Sequence, residues 1–160
     1  MAKSIRPMAL ALIQRGQEIL VEEGHDEIKK ETFFRLLGGH IEFGEKGADA
    51  LRRELREELG VETDVEHHLT TVENIFTYKG KPGHEIALIY ECSLRDSRLY
   101  SLDEWEAVES TAAGSITHKI AWKHVDSFTT GNEILYPDGM AALVISRDRG
   151  GQAPRPAPTE

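Results

Sequence analysis

Residues 35–62 read "RLLGGHIEFGEKGADALRRELREELGVE": an apolar run, two adjacent glycines, a polar loop and then a stretch dense in acids and arginines. From residue 46 to 59 the apolar positions Ala48, Leu51, Leu55 and Leu59 recur at spacings of three, four and four, which predicts a helix with one buried stripe. Gly60 stands where a left-handed helix cap belongs. At about 100° per residue, Leu51, Leu55 and Leu59 fall within roughly 80° of one another. Glu58 borders that stripe, followed by Glu54 and Glu57, while Arg52, Arg53 and Arg56 fall on the other flank. Like charges three or four residues apart repel by a few tenths of a kcal/mol per pair. A solvated helix face usually mixes its charges. Acids gathered beside a buried stripe instead suit a hard divalent cation, held by carboxylates, a backbone carbonyl and water.

The loop ahead of the helix fits the same reading. Gly38-Gly39 is expected to end a strand and to bring main-chain groups close to a metal or a phosphate. Glu45 and Arg53, eight residues apart, are placed to form a salt bridge that ties the loop to the helix.

Working outward, the predicted fold class is α/β. Residues 8–13 and 18–21 read as two strands around a turn at 14–17, and 24–31 as a polar loop. Residues 32–37 form a strand, 62–78 are rich in strand formers, and 79–83 form a turn. Residues 84–94 are a strand apolar on both faces, which implies helical cover. Residues 102–110 read as an acidic loop or short helix around Trp105, 119–125 as the last strand, and 137–145 as a helix with proline at its start. One domain over 1–148 is expected, with a Pro/Gly-rich disordered tail over 149–160.

With 39% hydrophobic and 29% charged residues the chain can build a core. A net charge of −9 argues against a nucleic-acid surface, although a metal would let an acidic protein bind phosphates. Cys92 is the single cysteine, so an internal disulfide is impossible and a reducing, cytoplasmic setting is expected. The apolar stretch 8–13 is too short to span a membrane. A homodimer is compatible with the sequence, which carries no signal of oligomeric state.

Gly39, five residues, Glu45, seven residues, Arg53-Glu54-Leu55, one residue, Glu57-Glu58, one residue, Gly60-Val61: this pattern resembles the Nudix box, with all nine specified positions matched over 23 residues. The resemblance implies an α/β/α sandwich with a mixed sheet. It also implies Mg²⁺- or Mn²⁺-dependent hydrolysis of a nucleoside diphosphate linked to another moiety. By position it makes Glu54, Glu57 and Glu58 metal ligands, Gly38 the donor of a backbone carbonyl, and Glu45 with Arg53 an orienting pair. Two bases are open for activating water: Glu54, or an acid of the 104–109 segment (Glu104, Glu106 or Glu109) closing over substrate.

Outside the box, Glu85 is a further ligand or base, or else a strand-end surface acid. His40 touches phosphate or is a plain loop histidine. Trp105 stacks on a base or anchors its loop. Tyr78, seventeen residues past Val61, resembles the tyrosine of dinucleoside-polyphosphate hydrolases, and Phe76 is a second candidate for stacking on a base. Two other functions compete. One is a binding or regulatory module without turnover, which usually has a broken box. The other is a diphosphate isomerase, which wants a reactive cysteine where Cys92 sits in an apolar strand.

Overall fold

The structure, a computed structural model, describes residues 3–149. Nine strands and three α-helices are assigned among them. Strands β1 (Arg6–Leu12), β2 (Gln14–Arg15), β3 (Glu18–Asp26) and β4 (Glu31–His40) precede helix α1 (Gly47–Leu59). Then come β5 (Thr63–Tyr78), β6 (Lys81–Leu94), a 3₁₀ turn over Ser97–Ser101, β7 (Glu104–Thr111) and β8 (Gly114–His124). Helix α2 (Asp126–Thr129), β9 (Leu135–Tyr136) and helix α3 (Met140–Arg149) finish the described chain.

The sheet is mixed, in the order β5-β6-β1-β4-β3-β8-β7, with β2 on β3 and β9 on β4. It is covered on both faces, as the doubly apolar β6 requires. On one side Ala50, Leu51 and Leu55 of α1 pack with Ala9, Ala11, Leu37, Cys92 and Trp122. On the other, Met140 and Val144 of α3 and Phe128 of α2 pack with Leu10, Leu12, Val21, Leu36 and Ile89. This is the α/β/α arrangement expected. Among the described residues no helix is long and apolar enough to cross a membrane.

The first hairpin differs from its sequence reading. β1 does not pair with β3; it lies between β4 (antiparallel) and β6 (parallel). Ala9, Leu10, Ala11 and Leu12 are all buried, so β1 needs a neighbour at each edge and cover on each face. The turn joins β3 only to the two-residue β2.

Half of the polar segment 24–31 is strand, because β3 pairs with β4 as far as Asp26↔Glu31, and residues 27–30 form the turn between them. Gly38 and Gly39 lie within β4, which continues to His40, and do not end it. Residues 104–111 form the edge strand β7, paired along β8, where a loop or short helix was expected. Their alternation of exposed and half-buried positions is that of a strand with one covered face. Pro137 stands outside α3, after a cis bond from Tyr136, and the helix begins past Gly139, whose φ of 88° is not helical. The tail expected from 149 onward lies, apart from Arg149, outside the described residues.

Candidate active site

Helix α1 and the end of β4 meet at the mouth of a cavity of about 540 Å³. Its walls come from β1, β3, β4, β5, β6 and the β9 corner. Gly38 has φ of 142°, and any Cβ there would collide with the Ala9 carbonyl oxygen on β1, so only glycine permits this strand pairing. At Gly39 a Cβ would overlap the Glu54 carboxylate. The absent side chain is what lets that carboxylate lie against the strand.

Arg53 does not stand apart from the acids, as the helical wheel suggested. Its guanidinium reaches back among them. Nε and Nη2 donate to the two oxygens of Glu45, at 2.8 and 3.0 Å, in a fork-on-carboxylate pair. Nη1 donates to Glu54 at 2.9 Å and to Glu57 at 3.2 Å, and Nη2 also donates to the His40 carbonyl at 3.0 Å. One cation thus fastens the loop, the strand end and two helix acids together. Its bonds to Glu45, against the opposing effect of burial, hold the Arg53 proton more firmly than usual, with Glu54 adding to them. The Glu45 carboxyl is held below its ordinary range by Arg53 and then by the Glu42 amide. The other arginines face away: Arg52 pairs with Asp49, and Arg56 with Glu62.

Glu58 points inward. Burial, then the charges of Glu22 and Glu54, push its carboxyl up to about 8, against the pull of His118 and Arg35. Glu22 and His118 carried no signal that the sequence reading used. Glu22 is 6% exposed and His118 4% exposed. The His118 ring bonds Glu22 through Nδ1 at 2.6 Å and Glu109 through Nε2 at 3.0 Å. Arg35 caps the other Glu22 oxygen through Nε and Nη2, at 3.1 and 2.9 Å. Burial alone would lower the His118 pKa, but the bonds to Glu22 and Glu109 outweigh it and raise the value. Ligating atoms of Glu22, Glu58 and His118 all lie within 4.8 Å of one another.

The expected residues divide by place. Gly38, Gly39, His40, Glu54, Glu58, Phe76, Tyr78 and Glu85 line the cavity. Glu45 and Arg53 do not line it and are bonded to each other. Glu57 does not line the cavity; its side chain is 52% exposed and tied to Arg53. Glu85 is paired with Arg6 at 2.6 Å, so it is not a loose strand-end acid. Glu104, Glu106 and Glu109 do not line the cavity; they ride on β7, and Glu109 is bonded to His118. Trp105 packs against the α1-side core. Cys92 is buried in that same core, where burial first and then the charge of Glu66 push its thiol pKa far up, so it offers no thiolate to the cavity.

The donor set is suited to a hard divalent cation. Glu22, Glu54 and Glu58 converge on one end of the cavity, and a bound cation would offset both the burial and, after it, the mutual repulsion that raise the Glu58 pKa.

The sequence matches the NUDIX domain over residues 5–126. The chain belongs to the Nudix family. Membership makes it a hydrolase acting on phosphorus-containing acid anhydrides. Similar folds include the ORF135 protein of E. coli, at 20% identity over 94% of this chain and 96% of that one, with TM-score 0.58. A MutT Nudix hydrolase from Burkholderia pseudomallei is 19% identical over 89% and 99% of the two chains, with TM-score 0.60. An ADP-ribose pyrophosphatase from Streptococcus suis is 12% identical over 94% and 95%, with TM-score 0.56. At these identities the likeness is one of fold.

Proposed function

We propose that this Nudix protein is a Mg²⁺- or Mn²⁺-dependent pyrophosphohydrolase that cleaves a nucleoside diphosphate linked to another moiety. The observation that carries the reading is the convergence of Glu22, Glu54 and Glu58 at one end of a cavity large enough for a nucleotide. Glu54 and Glu58 from the cavity, and Glu57 from beside Arg53, would hold the ion together with a carbonyl from Gly38. A bound divalent ion would neutralise the pyrophosphate and acidify the attacking water. Arg53 and Glu45 hold the ligands in place. His40 and Gly39 border the phosphates, while Phe76, Tyr78 and Glu85 face the rest of the substrate. Glu54, fixed on the helix and facing the cavity, takes the proton of the attacking water. Displacement at phosphorus then depends mainly on positioning and charge stabilisation. The single cysteine, buried and unpaired, suits a cytoplasmic enzyme.

The test is a panel of nucleoside triphosphates, nucleotide sugars, ADP-ribose and dinucleoside polyphosphates, with products identified in Mg²⁺, Mn²⁺ and chelator. Release of a nucleoside monophosphate that stops in chelator is expected. Glu57→Gln and Glu58→Gln should each lower turnover by about a hundredfold or more, roughly 3 kcal/mol of barrier. Binding of a panel member with no turnover in either metal would favour a binding module instead. Undiminished cleavage in chelator would remove the metal.

A further inference from the structure

The wall of the cavity running along β3 and β4 changes character over a short distance. Glu22 on β3 sits opposite Arg35 on β4, and the next pair on the same face, toward the β3–β4 turn, is Gly24 opposite Phe33. A side chain at position 24 would have its Cβ 2.5 Å from the tip of the Phe33 ring, so the ring fills the space that Gly24 leaves open. The Tyr78 and Tyr136 rings approach Phe33 nearly edge-on, with centroids at 5.9 and 5.5 Å and interplanar angles of 87° and 73°. All three rings line the cavity and remain partly exposed there. This end is rigidly built. Asp26, 1% exposed, accepts from the amides of Ile28 and Lys29 in its own turn and from the amide of Lys79, beside Tyr78, at 2.9 to 3.1 Å. It therefore staples the β3–β4 turn to the tip of the β5–β6 hairpin.

From this juxtaposition we infer that the corner formed by Phe33, Tyr78 and Tyr136 is a subsite for the nucleobase, with Arg35 set for the phosphate of the same nucleotide. The inference rests on the proposed function and says which end of the substrate lies where. Arg35 and Phe33 are two residues apart on one strand face, their Cα atoms about 6.6 Å apart, so a phosphate group and a base of one nucleotide can meet them in turn. The Arg35 side chain is 52% exposed, so its guanidinium is accessible while it caps Glu22. Half-exposed rings set nearly at right angles suit a flat heterocycle, which stacks on one ring and meets others at its edge. A sugar in the same corner would leave hydroxyls unpaired against ring faces.

The test measures equilibrium binding of AMP, UMP and ribose 5-phosphate to the full chain in Mg²⁺ by calorimetry. At least one of the two nucleotides is expected to bind roughly tenfold or more tightly than ribose 5-phosphate. Phe33→Ala should erase that advantage and leave ribose 5-phosphate binding unchanged, while Phe33→Tyr should keep it. Phe33→Leu, which retains most of the packing volume, should behave like Phe33→Ala and serves if the alanine variant unfolds. Equal binding of all three ligands by the wild-type protein, or an advantage that survives both Phe33→Ala and Phe33→Leu, overturns the subsite. The two readings fail separately. A base preference without hydrolysis leaves the subsite standing and removes the enzyme, whereas hydrolysis without a base preference does the reverse.

Discussion

With no metal bound, Glu58 keeps its proton up to about pH 8, because burial and the nearby Glu22 and Glu54 charges oppose ionisation. In the unfolded chain the same carboxyl titrates near 4.5. Between those values the folded protein binds the extra proton, so stability must fall as pH rises through the window. The interval from 4.5 to about 8, at about 1.4 kcal/mol per pH unit, sets a ceiling of about 5 kcal/mol. Partial exposure of Glu58 and relaxation of its surroundings bring the expected loss to about 2–4 kcal/mol. His118 acts in the same direction. Its raised pKa gives stability that is complete below its unfolded value of 6.5 and is lost as pH rises through the folded value. Glu45, Asp26 and Glu62, whose pKa values are lowered, act oppositely, but only below their unfolded values of 3.8 to 4.5.

The assay is urea unfolding at pH 5, 6, 7 and 8, in chelator and in saturating Mg²⁺. In chelator the midpoint should fall steadily from pH 5 to 8. In Mg²⁺ the slope should flatten, because the ion binds the ionised form and competes with the proton. Glu58→Gln should abolish the fall between pH 5 and 6.5 and keep only the histidine-driven fall above it. A chelated protein whose stability is flat or rising over pH 5–8, or a Glu58→Gln variant with the wild-type slope below 6.5, would refute the account.

Three further outcomes follow from the same geometry. Arg53→Ala should cut turnover while Mn²⁺ still binds, since the ligands remain but their common anchor is gone; Arg53→Lys should recover only part, lacking the planar fork, and wild-type rates in Arg53→Ala would remove it from the site. Gly39→Ala should displace the Glu54 carboxylate and lower turnover by about tenfold or more without unfolding the protein, as read by turnover beside a melting curve; full activity would show that the close packing is unimportant. Glu54→Gln should lose far more turnover than Glu104→Gln, Glu106→Gln or Glu109→Gln; a larger loss in any β7 variant that still binds metal and substrate would move the base there.

Helix α1 was readable in the sequence because its evidence is local. The leucine spacing, the Gly60 cap and the acid flank all lie within one stretch, and α1 ends with Gly60 in the left-handed region, φ 66°. What the sequence hid was pairing. The turn at 14–17 suggests that adjacent strands join, but the burial of β1 on both faces sends it between β4 and β6. Neither partner is nearby in the chain. β7 was hidden for a related reason. Its alternation of half-buried Trp105, Ala107 and Glu109 with exposed positions is weakly apolar, and it becomes a strand because β8 offers an unpaired edge.

The same division runs through the site. The Glu45–Arg53 bridge spans eight residues and is visible as a spacing, but Glu22 and His118 are 96 residues apart and meet only through the pairing of β3 with β8. A glutamate after an apolar run looks like the end of a strand, so Glu22 reads as a boundary when it is in fact a buried charge. Its burial is tolerable because both its oxygens are taken, one by the Arg35 cation and one by His118, whose protonated form the contact favours. Those bonds leave Glu58 as the inner acid without a hydrogen-bonded partner of its own among the described residues, next to Glu22, which has two. The charge deficit is therefore concentrated at Glu58. A divalent ion entering the cavity finds there a carboxyl that gives up its proton when the ion binds, and metal affinity should accordingly rise with pH up to about 8.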